Sequence, residues 1–291
     1  MSKFGRIGRV VAGLGGMLMA CLGVDAHAAY SCNATVTPIS VVYSPTVAAE
    51  NISTGSYTVS CTRLITDPAT LTFNLRADNG LQPTGATNRV QLGATANRYS
   101  YELYRLTPYI NANRWQNTAA LQFLGTIAFG TGLSGTATGS FDLRLAGSQP
   151  VRPAGTYTDT VAVTLRNNAG GAILNTTSFG VTVVTSNSCQ ITTLPGNMNF
   201  SYTSFQAAAA NVSTSYEVRC TTGLFYTMAL DLTSSTLLGL TYTLALSAPS
   251  GTGNGTEQPY NINGSIAAGQ AGTCAGASCS GSQTRTLTIS Y

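Results

Sequence analysis

Two segments of this chain match each other closely, and the match restricts how the chain can fold. Residues 51–61 and residues 211–220 both begin with Asn and end in Tyr-x-Val-x-Cys. A further cysteine precedes each segment at a similar distance, Cys32 before the first and Cys189 before the second. The repeat predicts two related domains, each with its first cysteine close to its start.

The last residues of the chain, 284–291, alternate between large side chains and Ser or Thr. The large ones are Arg285, Leu287, Ile289 and Tyr291. Alternation with a period of two is typical of a β-strand with one buried face. Residues 158–165 repeat the pattern, with Val161, Val163 and Leu165 at the apolar positions. Aligning these final strands places Leu287, Ile289 and Tyr291 at the positions of Val161, Val163 and Leu165.

Different sequences follow the two copies of this strand. After the first copy come a turn at residues 167–171 and another extended run, which has Phe179, Val181 and Val183 on one face. No such run follows the second copy. We therefore expect a closing strand in the first domain and none in the second. The edge formed by Leu287, Ile289 and Tyr291 should accept a strand from a partner, because an unpaired edge over an uncovered core is a liability.

The composition favours all-β structure. Charged residues make up 8% of the chain, whereas about 25% is usual for soluble domains. The sequence is rich in Thr, Val, Tyr and Gly, which favours strands and turns over helices. Pro and Gly clusters separate short extended runs at the spacing typical of β-sandwiches. These runs include residues 71–75, 99–105, 139–145, 226–232 and 242–246.

The N-terminus has the features of an export signal. Basic residues at positions 3, 6 and 9 precede a mostly apolar stretch, residues 10–24, and Ala26, His27 and Ala28 form a small-x-small cleavage site. The predicted signal peptide is residues 1–28; lipoprotein processing at Cys21 is the alternative. With cleavage after Ala28, only residues 29–31 precede Cys32. We expect such a protein to accept a strand but to have none to donate.

Six cysteines remain after removal of the signal peptide. An even number in an exported chain implies disulfide bonds. The repeat favours Cys32–Cys61 and Cys189–Cys220, each joining the first strand of a domain to the strand that ends in Tyr-x-Val-x-Cys. Cys274 and Cys279 would then close a small loop. A zinc site at these two is disfavoured, because zinc needs three or four ligands and no histidine remains. No metal and no cofactor is predicted.

The mature sequence offers little for catalysis. The only histidine of the whole chain, His27, lies in the predicted signal peptide, so the mature protein cannot form a Ser-His-Asp triad. Residues 130–135 fit G-x-G-x-x-G, but their all-β surroundings indicate a glycine-rich loop. Acidic residues are scattered and could pair only in space; they are Glu50, Asp67, Asp78, Glu102, Asp142, Asp159, Glu217, Asp231 and Glu257. We expect no enzyme, and the nearly balanced charge predicts no nucleic-acid partner.

The only tryptophan, Trp115, lies in a Pro- and Asn-rich segment, residues 106–117, that reads as a loop. In one interpretation Trp115 fills the core of the sandwich, as large aromatic side chains usually do. In the other, Tyr109, Ile110 and Trp115 form an exposed apolar loop tip of the kind that marks a binding surface. The sequence leaves both interpretations open.

Several of these features occur together in a known family. They are the early cysteine, the Tyr-x-Val-x-Cys motif, Tyr-Glu-Leu-Tyr at residues 101–104, and Pro-Ala-Gly-Thr-Tyr-Thr-Asp-Thr-Val at residues 153–161. With them the chain resembles two copies of the spore coat protein U domain, the family that includes subunits of archaic chaperone–usher pili. The second copy departs from the pattern, because it lacks Pro-x-Gly-x-Tyr-x-Asp before its last strand. The resemblance implies immunoglobulin-like, pilin-type β-sandwiches assembled by donor-strand exchange, with a periplasmic chaperone and an outer-membrane usher as partners.

The sequence and the resemblance together predict a pilus subunit at the tip of the fibre. Residues 29–185 would form a complete adhesive sandwich, and residues 186–291 an incomplete one that accepts a strand from the next subunit. The protein would pass through the periplasm to the cell surface as part of a fimbrium and contact an unidentified surface or receptor. The alternatives are an exported coat or matrix protein without a tip role, and a sugar-binding β-sandwich.

Overall fold

The computed structural model describes residues 30–45 and 49–291, and strands dominate throughout. The predicted signal peptide, residues 1–28 with Cys21, lies outside the described residues. A single turn of 3-10 helix, Asn111–Asn113, is the one helical element within the described ranges. The prediction of an all-β fold is confirmed.

The strands form two groups, here called the N-terminal half (residues 30–45 and 49–185) and the C-terminal half (residues 189–291). The N-terminal half contains β1 (Ser31–Val36), β2 (Ile39–Val42), β3 (Asn51–Thr62), β4 (Thr70–Ala77), β5 (Asn88–Leu92), β6 (Arg98–Tyr104), β7 (Phe123–Ala128), β8 (Ser134–Leu145), β9 (Gly155–Asn167) and β10 (Ile173–Thr185). The C-terminal half contains β11 (Cys189–Thr193), β12 (Ala210–Cys220), β13 (Phe225–Leu230), β14 (Ser234–Leu237), β15 (Leu240–Leu246), β16 (Ser250–Thr252), β17 (Gln258–Ile266) and β18 (Leu287–Ser290).

In the N-terminal half, the strands run in the order β1-β3-β8-β6-β5-β9-β10-β2, and β7 and β4 join this path at β9. β5 pairs with β9 over only two residues, so β1-β3-β8-β6-β5 and β7-β4-β9-β10-β2 form the two layers of a folded-over sheet. Alternate side chains of both layers point inward, as a half-buried strand requires. Leu143 on β8 and Val161 on β9 are completely buried in the core between the layers.

The C-terminal half repeats this order with two strands fewer. One sheet has the order β11-β12-β17-β15-β14, which matches β1-β3-β8-β6-β5 strand for strand. The other has the order β16-β13-β18, which matches β7-β4-β9. Among the described residues, β10 and β2 have no counterpart as strands, and a separate core lies between the two sheets.

The same set of hydrogen bonds occurs in both halves and shows which residues correspond. In the N-terminal half, the Tyr43 hydroxyl donates to the Ala146 carbonyl (3.2 Å), and the Gln149 backbone N–H donates to that hydroxyl (3.3 Å). In the C-terminal half, Tyr202 contacts Ala267 (2.9 Å) and Gln270 (2.8 Å) in the same way. Both glutamine side chains also bond the backbone of the neighbouring strand, at Ser100 and at Thr241. Tyr202 therefore corresponds to Tyr43, and Gln270 to Gln149.

The alignment of the final strands expected from the sequence is wrong by two residues. Phe73 packs over Gly125 in one half and Tyr226 over Gly251 in the other, so these positions correspond. Counting along the paired strands places Leu287 at Val163, Ile289 at Leu165 and Tyr291 at Asn167. A shift of two residues leaves every side chain on the same face of the strand, so the alternation could not reveal it.

A tyrosine hydrogen bond present in both halves gives the same two-residue correction. The Tyr101 hydroxyl donates to Asp159 Oδ2 (2.7 Å), and the Tyr242 hydroxyl donates to Gln283 Oε1 (2.6 Å). Asp159 therefore corresponds to Gln283, four residues ahead of Val163 and Leu287 respectively. Burial raises the pKa of the Asp159 carboxyl, although backbone N–H bonds from Leu81 and Thr160 and the Tyr101 bond oppose the shift. Gln283, which is exposed, accepts the corresponding hydrogen bond through its uncharged amide.

The structure joins Cys32 to Cys61, Cys189 to Cys220 and Cys274 to Cys279. The first two bonds connect residues that lie directly opposite each other on paired strands, β1 with β3 and β11 with β12. The third closes a short exposed loop between β17 and β18. Each of the first two therefore holds the first strand of a half against its neighbour.

Replacing Cys32 and Cys61 together by Ala is expected to lower the free energy of unfolding of the N-terminal half by about 3–4 kcal/mol, because the bond constrains the unfolded chain. The measurement is urea unfolding of the full chain under oxidising conditions. The Cys274→Ala, Cys279→Ala double variant is the control, and its loss should be smaller because the loop is much shorter. Equal unfolding midpoints for the native chain and the Cys32/Cys61 variant would contradict the expectation.

Candidate functional site

The last strand of the C-terminal half, β18, is paired on one side only. It lies antiparallel to β13, from Leu230 opposite Leu287 to Thr227 opposite Ser290, and no described strand lies along its other side. The Asp231 N–H donates to the Thr286 carbonyl (3.0 Å), which fixes which residues bond to β13. Because hydrogen-bonded residues alternate in antiparallel pairs, the backbone groups of Leu287 and Ile289 point toward the open side.

Residues 197–202 lie across from the open edge of β18, in the place that β2 has in the N-terminal half, and we call them the wall of the gap. Met198, Phe200 and Tyr202 pack against the core of the C-terminal half, but the segment is not part of a strand. Their counterparts, Ile39, Val41 and Tyr43, are almost fully buried, and β2, which carries the first two, is hydrogen-bonded to β10. The gap between β18 and residues 197–202 is therefore one strand wide.

Gly264 explains how two large side chains fit along this wall. A Cβ atom at Gly264 would lie 2.6 Å from both Met198 Cε and Phe200 Cζ. Counting from Gln149 and Gln270 places Gly264 at Leu143, and the counterparts of Met198 and Phe200 are the smaller Ile39 and Val41. The larger side chains of Met198 and Phe200 therefore reach over Gly264 and pack against the core of the C-terminal half.

The N-terminal half shows what fills the equivalent space. β10 lies between β9 and β2, antiparallel to the first and parallel to the second. Phe179, Val181 and Val183 point from β10 into the core and are 3%, 0% and 0% exposed. A strand in this position satisfies both neighbouring edges and covers the core, and the C-terminal half has no such strand among its described residues.

The three residues predicted to form the acceptor edge occupy two different environments. Leu287 and Ile289 are half-buried and pack on the core of the C-terminal half. Tyr291, which follows β18, is 61% exposed. It lies at the end of the strand near Tyr226, whose hydroxyl bonds that of Tyr260 (2.6 Å) and whose pKa is raised by burial. The open edge is thus built on Leu287 and Ile289, with Tyr291 at its rim.

The interpretation of Trp115 as a surface residue is wrong. Its side chain is 1% exposed, and Nε1 donates to the Leu75 carbonyl (3.0 Å). The ring packs among aromatic side chains from three strands, Phe123, Phe141 and Phe179. The Trp115 backbone N–H bonds the Leu103 carbonyl (2.8 Å), so the loop returns to the sheet at this point and turns the indole inward.

Tyr109 and Ile110, the other two residues of the predicted loop tip, lie on the outer surface. Ile110 is 52% exposed. Tyr109 is half-buried: its ring centroid is 5.1 Å from that of Tyr104, and its hydroxyl donates to Asp142 Oδ2 (3.1 Å). Only Ile110 of the three presents a free apolar side chain, so the segment does not form the predicted apolar tip.

The structure brings three of the scattered acids, Glu50, Glu102 and Asp142, to the outer face of β3, β8 and β6. Glu102 pairs with Arg114 (2.6 Å) and Glu50 with Arg144 (2.5 Å). Asp142 accepts hydrogen bonds from the Thr54 and Tyr109 hydroxyls. The bond to Glu50 raises the pKa of Arg144. Each acid has a cationic or hydroxyl partner, and two of these contacts, Glu102–Arg114 and Asp142–Tyr109, hold the 105–122 loop on the sheet.

Sequence reasoning missed a group of apolar side chains at one end of the N-terminal half. Leu64, Ile65 and Leu133 are 60%, 73% and 49% exposed, on the turns that follow β3 and precede β8. We call these three residues the apolar pole. The sequence feature that could have revealed this group is the Leu-Ile pair within a turn, where polar residues are usual.

Arg63 ties the two turns of the apolar pole together. Its backbone N–H donates to the Leu133 carbonyl (2.9 Å), and its guanidinium donates to the carbonyls of Gly132 (3.1 Å) and Asp67 (2.6 Å). The opposite end of the N-terminal half touches the C-terminal half, where the Thr222 hydroxyl donates to the Val151 carbonyl (3.2 Å). The apolar pole therefore lies at the end of the N-terminal half that faces away from the C-terminal half.

Within residues 30–45 and 49–291, no helix is long and apolar enough to cross a membrane. The same residues contain no cluster of three or more His, Cys, Asp or Glu side chains that could hold a metal ion.

A model of the family described as "Spore Coat Protein U domain" matches residues 18–164 and 175–241 of the chain. A search of curated proteins finds no significant match.

Among solved structures, the CupB6 tip adhesin from Pseudomonas aeruginosa is similar over 91% of this chain and 95% of that chain, with 10% identity and a TM-score of 0.36. A chaperone–tip adhesin complex of CFA/I fimbriae biogenesis is similar over 87% of this chain and 95% of that chain, with 10% identity and a TM-score of 0.33. The CssB subunit complemented with a donor strand from CssA, from enterotoxigenic Escherichia coli, is similar over 53% of this chain and 97% of that chain, with 15% identity and a TM-score of 0.29.

Proposed function

Because this chain belongs to the Spore Coat Protein U domain family, we propose that it is a two-domain tip subunit of an archaic chaperone–usher pilus. The observation that carries the proposal is the gap, one strand wide, between β18 and residues 197–202. In this proposal residues 29–185 form the adhesive domain, and residues 186–291 form the domain that joins the fibre. The protein reaches the cell surface through the periplasm.

The gap defines what the partner must supply. It has an unpaired strand edge on one side, apolar side chains on the other and a half-covered core below. An extended peptide with alternating apolar residues would pair with the edge and cover the core, as in other cases of strand addition. The periplasmic chaperone would supply such a strand before assembly, and the next subunit would supply it in the fibre after exchange at the usher.

The difference between the closed N-terminal half and the open C-terminal half supports a position of this subunit at the end of the fibre. The N-terminal half already contains its closing strand, β10, and therefore has no vacant position for a strand from another subunit. Among the described residues, only the C-terminal half has a vacant position that can receive a strand from a neighbour. A subunit with one open and one closed sandwich fits the end of a linear fibre, with the closed sandwich outermost.

The apolar pole is the proposed attachment surface. Its three side chains are exposed at the end of the N-terminal half that points away from the fibre, and rigid turns hold them. Exposed apolar groups at such a position mark an interaction surface. The target in this proposal is an apolar surface.

Replacing Leu64, Ile65 and Leu133 together by Ser is expected to reduce attachment of piliated cells to an apolar surface at least tenfold. The thermal midpoint should change little, because the three side chains contribute little to the core. Leu124→Ser is the matched control, since Leu124 is 66% exposed on β7 and lies outside the apolar pole. Attachment that is unchanged in the triple variant and reduced in the control would contradict the assignment.

The position in the fibre is tested by immunogold labelling of an epitope inserted in the exposed loop at residues 168–170. Labels are expected at one end of each fibre. Labels along the shaft would instead indicate a coat or matrix protein that polymerises without a tip role. A co-purified periplasmic chaperone before assembly is the second expected result.

A further inference from the structure

Two arginines without an acidic partner lie on one outer face of the N-terminal half. Arg89 on β5 and Arg98 on β6, here called the arginine pair, point outward, since the residues that alternate with them are buried. Arg89 lies opposite Ser100, and Gln91 lies opposite Arg98. The two arginines are therefore diagonal neighbours, at a spacing that long side chains bridge. Neither forms an ion pair with any residue that the structure describes.

Gln82 holds both guanidinium groups of the arginine pair in place. Arg89 Nε donates to the Gln82 carbonyl (2.7 Å), and Arg89 Nη2 donates to the Pro83 carbonyl (3.1 Å). Arg98 Nε donates to Gln91 Oε1 (2.9 Å), and Arg98 Nη2 donates to Gln82 Oε1 (3.2 Å). Each guanidinium thus uses two of its N–H donors and keeps the others for a ligand. Because Gln82 is exposed, a ligand at the surface can reach them.

The acids that are nearest to the arginine pair along these elements bind other partners. Asp78 and Asp159 accept hydrogen bonds from backbone N–H groups, and Asp159 also accepts one from a tyrosine hydroxyl. Glu102 on β6 pairs with Arg114 (2.6 Å). The positive charge of the arginine pair is therefore not neutralised by an ion pair within the described chain.

The C-terminal half forms the same pair of strands without these arginines. Tyr101 and Tyr242 make corresponding hydrogen bonds, and β5 pairs with β6 as β14 pairs with β15. Counting from the two tyrosines, the arginine pair corresponds to Thr236 and Gly239. Both of these residues are uncharged. The sandwich itself therefore does not require a cation at either position.

The segment that carries Gln82 is also specific to the N-terminal half. Residues 79–87 lie between Asp78 and β5. In the C-terminal half only residues 232–234 occupy the equivalent stretch, which follows Asp231. The fold is thus complete with the shorter connection. Extra loop residues held on a rigid scaffold are a common place for binding function.

We propose that the arginine pair binds carboxylate groups of an acidic polysaccharide. A carboxylate presents two oxygens in one plane, which match the forked donors of a guanidinium. The hydrogen bonds to Gln82 fix both guanidiniums before the ligand arrives, so less conformational entropy is lost on binding. Leu81, the preceding residue, is 68% exposed and offers an apolar contact for a sugar ring. The site is separate from the apolar pole and goes beyond the proposed function.

The small number of cations favours a polymer with widely spaced charges. Nucleic acids are held by many contacts between cations and phosphates, and anionic membranes by clusters of several Lys and Arg residues. The only lysine of the whole chain, Lys3, lies in the predicted signal peptide, so no lysine extends the site. Two fixed guanidiniums suit a polysaccharide whose carboxylates are separated by uncharged ring atoms.

The test measures binding of the full chain in solution to polygalacturonate and to its methyl ester, which has the same backbone without the charges. Binding to polygalacturonate is expected, and added salt should weaken it because exposed charges are screened. The ester should not bind. The double variant Arg89→Gln, Arg98→Gln should bind polygalacturonate at least tenfold more weakly. Arg166→Gln is the matched control, since Arg166 also lacks an ion pair and lies on β9 in the other layer.

Equal binding to polygalacturonate and its ester, or binding to neither, would overturn the proposal. Tighter binding to dextran sulfate would overturn the assignment to carboxylates. If the double variant does not fold, Arg89→Thr replaces it, because Thr is the residue at the corresponding position of the C-terminal half. This variant should weaken binding at least threefold, and unchanged binding would contradict the proposal. The triple Ser variant of the apolar pole should bind normally, so this site is tested independently of the proposed function.

Discussion

Appending the sequence of residues 168–185 to the C-terminus is expected to convert the C-terminal half into a complete sandwich. In the N-terminal half, residues 168–172 form the turn that connects β9 to β10, and β18 corresponds to β9. The appended turn should therefore return the chain into the gap beside β18 as an antiparallel strand. The new strand would pair with the backbone groups of Leu287 and Ile289 and cover the core.

The expected size of this effect follows from the three apolar side chains of the appended strand. Burying one Phe and two Val side chains contributes about 1.5–3 kcal/mol each, which is on the order of 5 kcal/mol or more in total. The matched control is the same extension with Ser at these three positions, because its backbone requires the same ordering. The thermal midpoint of the C-terminal half is compared between the two extended proteins.

Two results would count against this expectation. Equal midpoints for the two extended proteins would show that apolar residues are not accepted into the gap. A chain without any extension that already matched the protein with the apolar extension would show that the sandwich is complete, and the pilus proposal would lose its main support. Limited proteolysis at residues 197–202 provides a second readout, since these residues should become protected only by the apolar extension.

Replacing Trp115 by Ala is expected to destabilise the N-terminal half by about 3–5 kcal/mol, the usual cost of removing a large buried aromatic side chain. The indole fills the space between Phe123, Phe141 and Phe179, and its Nε1 satisfies the Leu75 carbonyl. The variant loses the packing and leaves that buried carbonyl without its donor. Urea unfolding of the full chain measures the change.

Ile110→Ala is the matched control for this variant. Ile110 lies in the same segment, is 52% exposed and should change the free energy of unfolding by less than about 0.5 kcal/mol, as surface substitutions usually do. Trp115→Ala with native stability and reduced surface attachment would restore the interpretation of Trp115 as a contact residue. Loss of stability in both variants would show that the whole segment is part of the core.

The segment around Trp115 shows where reasoning from the sequence reached its limit. Pro, Asn and Gly around the tryptophan correctly indicate an irregular segment. The direction of each side chain depends on partners that are distant in sequence: Leu75 and Leu103 for Trp115, and Asp142 for Tyr109. Local composition contains no information about these partners, so Tyr109, Ile110 and Trp115 could not be assigned separately.

The sequence by itself determined the features that depend on local patterns. Period-two alternation predicted strands and their buried faces, and the repeated Tyr-x-Val-x-Cys segments predicted that the chain contains two related units. The run at Phe179, Val181 and Val183, present after one copy and absent after the other, predicted an open edge at Leu287, Ile289 and Tyr291, and the structure builds that edge on Leu287 and Ile289. These features could be read directly, because each depends on residues that are close together in the chain.

Only the tertiary structure decided the register of the final strand, the second wall of the gap and the position of the apolar pole. Alternation fixes the face of a strand but not a shift by two residues, so Leu287 was assigned to Val161 although it corresponds to Val163. Residues 197–202 become a wall because Tyr202 bonds Ala267 and Gln270, more than sixty residues away in the chain. Leu64 and Leu133 meet because paired strands bring two distant turns to the same end. Contacts between residues far apart in sequence decide such positions, and a local pattern cannot specify them.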